Sequence, residues 1–415
     1  MPHSVSLIST IAVGLGLSLI LGFIATRLRL PALVGYLVTG MICGPFTPGF
    51  VADAEIASQL AEIGIMLLMF GVGLHFSFKD LLAVRRVAVP GALVQMAVAT
   101  LLGMGLAWSW GWAPGPSLML GLALSVASTV VLLRALESLG LMQSFAGQAA
   151  VGWLVVEDIS MVLVLVMLPP LAGALGGHLD AGLAGQSLWM SLGKTLLQVG
   201  LFVLVMMVLG RRLFPWLLLQ VHRTGSRELF TLCVVAGALS IAYASAALFG
   251  VSFALGAFFA GMVMRESEFS HRAAEESLPL RDAFAVLFFM SVGMLFDPQV
   301  LLTRPLQVLA VVMVIMLGKT LAAAVLMLGF RYRLGLALTL AASLAQIGEF
   351  SFILVGLGRS LGLLPAEGQS LVVAGALFSI ALNPFLFHGV EPLRRWLCLH
   401  CAWARRLDDE SRRSD

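Results

Sequence analysis

The chain has 415 residues, of which 60% are hydrophobic and only 11% charged, and its mean hydropathy is +1.01. Soluble proteins average about 45–50% apolar and about 25% charged residues, so a globule of this size could not bury so much apolar surface and keep a wettable exterior. The net charge of +3 is too small to indicate a nucleic-acid partner. The composition predicts a polytopic membrane protein surrounded by the lipid bilayer.

Thirteen apolar stretches of roughly the 20 residues that a membrane helix needs follow one another along the chain. The ninth and tenth are short and Gly-rich, which is typical of segments shielded by neighbouring helices. The predicted fold is therefore an all-α bundle of 13 transmembrane helices. The stretches lie near residues 6–26, 32–50, 57–76, 87–110, 117–138, 146–169, 187–210, 228–248, 250–264, 282–297, 305–329, 334–358 and 367–390.

The two ends of the chain carry little chemistry of their own. Met1-Pro2-His3-Ser4 lacks the basic segment and cleavage site of a signal peptide, so the first apolar stretch is predicted to be a span. The four cysteines are too few for a disulfide framework. Cys398 and Cys401 have half of a zinc-site spacing, but no second pair follows. We expect a reduced tail with no metal and no cofactor.

Lysine and arginine residues fall mainly on one side of the predicted spans. If the N-terminus is outside, 21 of the 25 lie in cytoplasmic loops or in the basic tail, Arg134 among them. Cytoplasmic loops of membrane proteins carry such an excess of positive charge. The distribution predicts that the N-terminus is outside and the C-terminus inside, and it supports an odd number of spans.

An internal repeat relates the two halves of the chain. Small-residue spacing also recurs by chance in closely packed helices, but three matches share nearly one offset of 221, 220 and 218 residues. Seven spans separate each pair, and an odd number reverses the direction of the helix. The sequence therefore predicts the inverted-topology repeat of many secondary transporters. The matching segments are 35–41 with 256–262, 72–76 with 292–296, and 122–128 with 340–346.

Several polar side chains lie at the predicted bilayer centre, where a charge costs about 3 kcal/mol or more and needs a reason. The two adjacent acids Glu157 and Asp158 lie about 100° apart on a helix and cannot both face one partner, so we expect an ion- or proton-binding role for them. An ion pair that only holds helices together remains open for Lys319. The candidate ion-binding residues are Asp158, Glu157, Ser128, Thr129 and Ser125, and the candidates for charge compensation are Lys319, Gln346 and Glu349.

The fifth and twelfth spans show a second signal. Mid-span Ser and Thr in one, and Gln346-Ile-Gly-Glu349 in the other, suit two helices that break and cross at the midplane. Unwound backbone would present carbonyls to a cation, and the facing half-helix dipoles would need compensating charge. Ser and Thr also occur in unbroken membrane helices, bonded to the preceding turn.

The spans contain a set of short motifs: Leu33-Val-Gly-Tyr-Leu37, Gly44-Pro45, the segment 62–70, Ala127-Ser-Thr129, Glu157-Asp158, the segments 252–261 and 288–293, Gly318-Lys319 and the segment 345–349. As a set these motifs are specific, and they resemble the monovalent cation:proton antiporter-2 family, with the greatest resemblance to its bacterial Kef-type and YbaL-like members. The resemblance extends over residues 5 to 390, nearly all of the membrane portion.

The resemblance implies a homodimer in the inner (cytoplasmic) membrane. Each copy would have scaffold helices and a mobile core, formed near 87–169 and 305–390, that carries the ion like an elevator. It implies that Asp158 binds the cation and the proton in turn. Glu157 departs from the Asp or Gln that the family places there, which bears on stoichiometry and cation choice. A regulatory nucleotide-binding domain, frequent in the family, is absent from this chain, which is expected to comprise a membrane domain (1–390) and a short cytoplasmic tail (391–415).

These observations predict a K⁺ or Na⁺ antiporter for H⁺, and not an enzyme. A cation-coupled symporter of an organic anion with a similar inverted repeat is the main alternative. A potassium channel is disfavoured because Val34-Gly35-Tyr36 is flanked by Leu33 and Leu37, where a filter needs Thr and Gly. An intramembrane hydrolase is disfavoured because no histidine lies at the depth of Ser252.

Overall fold

The chain folds into a bundle of helices, and no strand occurs among the residues that the structure describes. The computed structural model describes residues 3–48, 51–75, 78–129, 144–178 and 188–401, with positions 131, 132, 136, 140, 404 and 405. Arg134 and the tail beyond residue 405 lie outside this part. The helices are α1 (His3–Arg27), α2 (Ala32–Cys43), α3 (Ala54–His75), α4 (Phe78–Ser109), α5 (Pro114–Ser125), α6 (Phe145–Leu171), α7 (Leu188–Val205), α8 (Arg211–Arg223), α9 (Arg227–Phe249), α10 (Phe253–Arg265), α11 (Ser270–Met294), α12 (Gln299–Thr303), α13 (Pro305–Met313), α14 (Lys319–Gly329), α15 (Leu334–Ser343), α16 (Glu349–Ser360) and α17 (Ala366–His400).

Nine helical segments in the described ranges are long and apolar enough to cross a membrane. Three shorter apolar helices, α2, α10 and α15, have 10 to 13 residues each. Each of the thirteen predicted stretches coincides with a helix or with an interrupted helix. The all-helical membrane fold is thus confirmed, whereas the number of crossings and the orientation of the termini stay predictions.

Helix α11 is longer than the sequence predicts. The tenth apolar stretch begins at residue 282, but α11 begins at Ser270 and has 25 residues. Contacts with α9 hold its polar first half in place: Arg227 pairs with Glu276 at 2.9 Å, and the Arg272 guanidinium lies 4.3 Å from the centre of the Phe230 ring. The prediction of a short tenth span is therefore wrong, while α10, with 13 residues, is short as predicted. The last helix also continues to residue 400, into the predicted tail.

Two pairs of glycines let helices of the two halves approach closely. A Cβ atom at Gly40 would lie 2.7 Å from the Cα of Gly293, and one at Gly261 would lie 3.0 Å from the Cα of Gly73. Helix α2 therefore packs directly on α11, and α3 on α10. In the predicted repeat Gly40 corresponds to Gly261 and Gly73 to Gly293, so the two crossings use equivalent partners. This reciprocal packing agrees with an inverted repeat.

A π-helical turn interrupts the eleventh apolar stretch directly before its lysine. Helix α13 ends at Met313, the π turn spans Val314–Gly318, and α14 begins at Lys319. Such turns insert one extra residue into a helix and are frequent at functional sites. The side chain of Lys319 is fully buried, so this ammonium group lies inside the bundle rather than at the lipid surface.

Candidate ion-binding site

Two interrupted helices provide the backbone of the candidate site. Helix α5 ends at Ser125, Val126 is extended, residues 126–128 are not helical, and a helical conformation resumes at Thr129. In the twelfth stretch α15 ends at Ser343, and α16 begins after the break at residues 344–348. The two breaks are in direct contact, since a Cβ atom at Gly348 would lie 2.4 Å from the Cα of Ser128. The fifth and twelfth helices are thus broken at the positions that the sequence predicts.

Gln346 joins one break to the other. Its Oε1 atom accepts a hydrogen bond from the backbone N–H of Ser128 at 2.9 Å, and its Nε2 atom donates to the carbonyl of the same residue at 3.1 Å. The Ser128 hydroxyl donates to Oε2 of Glu349 at 3.1 Å. These bonds satisfy backbone groups that a broken helix leaves unpaired. Glu349 also occupies the first turn of α16, where the helix dipole stabilises a carboxylate.

Glu157 and Lys319 lie at the same breaks. Oε2 of Glu157 accepts a hydrogen bond from the backbone N–H of Ala127 at 2.8 Å. The ammonium group of Lys319 donates to the carbonyl of Gln346 at 2.9 Å. Both side chains are fully buried, and their charges are close enough to interact. Lys319 therefore contacts a broken-helix terminus directly and lies within electrostatic reach of Glu157.

Asp158 differs from its neighbour because no cation accompanies it. The Thr129 hydroxyl donates to its Oδ2 atom at 3.3 Å, a long hydrogen bond. Its Oδ1 atom has no hydrogen-bond partner among the described residues. The carboxyl group is 3% exposed, and the charges that act on it most strongly are two other acids, Glu349 and Glu157. A buried carboxylate with acidic neighbours requires a bound proton or cation for neutrality.

The side chain of Ser125 does not join this cluster. Its hydroxyl group donates to the carbonyl of Leu122 at 2.8 Å, which is a local bond within α5. Hydroxyl groups in helices commonly bond to the preceding turn in this way. Of the eight predicted site residues, seven therefore contribute side chains to the contacts at the two breaks, and Ser125 contributes backbone only.

Two buried amide side chains that are not among the predicted site residues bond to carbonyls next to the two breaks. Gln95 of α4 donates to the carbonyl of Ser125 at 3.2 Å and accepts from the indole N–H of Trp153 at 3.3 Å. Asn383 of α17 donates to the carbonyl of Ala342 at 2.8 Å. Both hold carbonyls near the ends of α5 and α15. An amide within an otherwise apolar span is the sequence signal that could have revealed them.

A cavity of about 830 Å³ lies beside the site. Residues of α6 and α16 form one wall, and residues of α3, α7, α9, α10 and α11 form the other. Phe352 lines the cavity one helical turn beyond Glu349, and its ring centre lies 6.3 Å from that of Phe288 and 6.2 Å from that of Phe289. The cavity thus reaches to within one turn of Glu349, and two of these three aromatic rings, those of Phe288 and Phe352, line it.

Broken helices around buried charges define the class of this protein as a membrane transporter. A family model described as "Sodium/hydrogen exchanger, transmembrane" matches residues 15–389. The chain belongs to this family, and it is therefore a cation/proton antiporter and not an enzyme. The resemblance noted in the sequence is confirmed, and an anion symporter is not favoured.

Similar proteins carry matching descriptions. The chain is 59% identical over 391 residues to the "Putative cation/proton antiporter YbaL" of Escherichia coli, covering 94% of this chain and 70% of that protein. It is 32% identical over 359 residues to "K(+) efflux antiporter 6" of Arabidopsis thaliana, covering 86% of this chain and 59% of that protein. In fold it is similar to the sodium proton antiporter MjNhaP1 of Methanocaldococcus jannaschii, with a TM-score of 0.70 at 15% identity over 93% of this chain and 98% of that one.

Proposed function

We propose that this protein exchanges a monovalent cation for H⁺ across the inner membrane and that Asp158 binds the two in turn. The observation that carries the proposal is the lack of a compensating cation beside this buried carboxylate: Lys319 lies within electrostatic reach of Glu157, whereas the charges that act most strongly on Asp158 are two acids. One oxygen of each acid, Oε1 of Glu157 and Oδ1 of Asp158, has no hydrogen-bond partner among the described residues. Glu157, Gln346 and Lys319 already hold the two breaks together. Asp158 is therefore the acid that is left available for a cation.

The buried site explains why the two ions would alternate. A proton on Asp158 and a partly dehydrated cation on its oxygens are mutually exclusive ways to neutralise one carboxylate. The Thr129 hydroxyl, which already bonds to Asp158, supplies a further oxygen ligand for a cation. Carrying the empty, charged form through the apolar interior costs about 3 kcal/mol or more, which is about a 100-fold disadvantage. Coupled exchange follows because only the two neutral forms cross readily.

The arrangement around the cavity supports an elevator-type mechanism. On one wall α6 and α16 belong to the proposed core, formed near residues 87–169 and 305–390, which contains the ion site. On the other wall α3, α10 and α11 belong to the scaffold, whose crossings are locked by glycine contacts at Gly40, Gly73, Gly261 and Gly293. Sliding of the core along this scaffold would close the cavity on one side and open an equivalent one on the other.

The names of the similar proteins favour K⁺ as the cation, with Na⁺ as the second candidate. One of them is described as a K(+) efflux antiporter. The structurally similar archaeal protein is described as a sodium proton antiporter, but at 15% identity it shows the fold alone. We therefore propose K⁺ exchange and make the choice of cation an outcome of the experiment below.

The proposed setting is a homodimer with its N-terminus outside and its C-terminus in the cytoplasm. The least buried span in the described part of the chain is Gly193–Arg223, whose exposed apolar face is available to a second copy. Trp189 and Leu197 of α7 are 82% and 72% exposed. A regulatory nucleotide-binding domain, if the full-length protein has one, would act on this membrane domain from the cytoplasm.

Proteoliposomes with an imposed pH gradient test the proposal. We expect K⁺, and more weakly Na⁺, to collapse the gradient, whereas choline does not. Asp158→Asn keeps the size of the side chain but cannot bind the proton and the cation in turn, so we expect exchange to be lost while the purified variant unfolds at the wild-type temperature or above. The proposal is wrong if exchange persists in Asp158→Asn.

A further inference from the structure

The cavity contains an acid for which the fold gives no structural reason. Glu62 of α3 is exposed to the cavity and has no hydrogen bond or ion pair with any described residue. It is the one acid among the described residues that line the cavity, and Lys194 of α7 is the one base. Carboxylates within membrane spans are expensive and usually functional, so an unpaired one in this position needs an explanation.

The inverted repeat gives Glu62 a counterpart in the other half. The offset of 220 residues that relates Gly73 to Gly293 also relates Glu62 to Asp282 of α11. Each acid lies 11 residues before its crossing glycine, which is about 16 Å along the helix. A Cβ atom at Gly64 would lie 2.6 Å from the carbonyl oxygen of Phe284, so α3 and α11 cross two residues after each acid. Because the two halves have opposite directions in the membrane, the acids lie on opposite sides of this crossing. Each half of the scaffold thus carries one acid at the equivalent position.

The two acids, Glu62 and Asp282, differ in whether a basic side chain pairs with them. The Arg281 guanidinium contacts Oδ1 of Asp282 at 2.9 Å, and its side chain fills the space beside Gly71, where a Cβ atom would lie 2.9 Å from the arginine Cδ. Glu62 has no such partner, and it is the acid that faces the 830 Å³ cavity. In this conformation the acid on the cavity side is therefore free, and its counterpart is neutralised by a neighbour on its own helix.

A carboxylate without an ion partner attracts cations into a cleft with apolar walls, and Lys194 in the same cavity opposes this attraction. We propose that Glu62 is the site that gathers the transported cation in the cavity, and that Asp282 takes this role on the opposite side once the core has moved. The inference rests on the proposed exchange function. It assigns Glu62 a role in capture alone.

The experiment compares cation dependence on the two faces of the membrane, using right-side-out and everted vesicles. For Glu62→Gln we expect the half-saturating K⁺ concentration to rise about threefold on the outer face, with little change on the inner face or in the saturated rate. A full charge about 6–7 Å from a monovalent cation in a water-filled cleft changes the local concentration of that cation by about threefold. Asp282→Asn is expected to act on the inner face. Raising the ionic strength with an impermeant salt should shrink the effect of Glu62→Gln, because salt screens exposed charges.

Glu55→Gln is the matched control, because Glu55 is an exposed acid two turns earlier on α3 and does not line the cavity. It should change none of these values. An unchanged half-saturating concentration in Glu62→Gln, an equal rise on both faces, or an effect insensitive to salt would overturn the inference. Failure of the exchange function itself would be seen separately, as wild-type vesicles that show no cation-dependent proton movement.

Discussion

Gly348 is a position at which added volume should disturb the ion site, because it lies between the two helix breaks. In Gly348→Ala the new Cβ would lie 2.4 Å from the Cα of Ser128 and 2.6 Å from its Cβ, whereas carbon atoms pack at about 3.5–4.0 Å. The backbone at Gly348, with φ −132° and ψ −162°, is extended and suits alanine, so the whole cost is steric. The breaks must separate by about 1 Å, which overpacks the core at about 1–3 kcal/mol.

The same displacement weakens the two hydrogen bonds between Gln346 and Ser128, now 2.9 and 3.1 Å long, at about 0.5–1.5 kcal/mol each. We therefore expect Gly348→Ala to destabilise the protein by about 2–6 kcal/mol and to slow exchange. The measurement is thermal unfolding in detergent, together with exchange in proteoliposomes.

Gly105→Ala is the matched control, since a Cβ at Gly105 meets no atom within 4 Å. It should unfold at the wild-type temperature or slightly above, because alanine favours a helix over glycine. If Gly348→Ala behaves like Gly105→Ala in unfolding and in exchange, the close contact between the breaks does not exist in the membrane, and the assignment of Gln346 as the link between them fails with it.

Two further predictions concern the buried charges and the scaffold. Lys319→Met should lower the free energy of unfolding by about 3–5 kcal/mol, because it leaves Glu157 as an uncompensated buried charge. Adding Glu157→Gln to this variant should restore part of the lost stability in thermal unfolding. If the losses of the two single variants simply add in the double variant, the two charges do not interact. Gly261→Ala places a Cβ 2.1 Å from the carbonyl oxygen of Phe70. The resulting overpacking of about 1–3 kcal/mol should lower the unfolding temperature. An unchanged unfolding temperature would argue against the tight crossing of α3 and α10.

The hydropathy of the chain predicts most of the fold, and its failure at α11 has a physical cause. A window of apolar residues detects a helix only where lipid or apolar neighbours surround it. The first turns of α11 are polar, and contacts such as the ion pair of Arg227 with Glu276 hold them on α9. Such tertiary contacts stabilise a helix without any trace in the local hydropathy, so the predicted boundary falls at residue 282 rather than at Ser270.

The residues of the site could be selected from the sequence by their cost at mid-membrane, but their separate roles could not. Glu157 and Asp158 are adjacent acids, and only the fold shows that Glu157 accepts from a backbone N–H and lies within reach of Lys319, whereas Asp158 accepts from a hydroxyl group. Ser125 looks like Ser128 in the sequence, yet its hydroxyl group bonds within its own helix. The direction of a polar side chain depends on its backbone and neighbours, which spacing along the chain does not specify.

The paired hydrogen bonds between Gln346 and Ser128 have a consequence for ion preference. They join the two breaks, so a proposed core that moves as one unit would keep the oxygens around Asp158 in the same arrangement on either side of the membrane. A proposed core that moves in this way presents one and the same coordination shell to both compartments. The order of preference among K⁺, Na⁺ and Li⁺ should then be identical from the two sides, and any rectification of the flux must originate outside that shell.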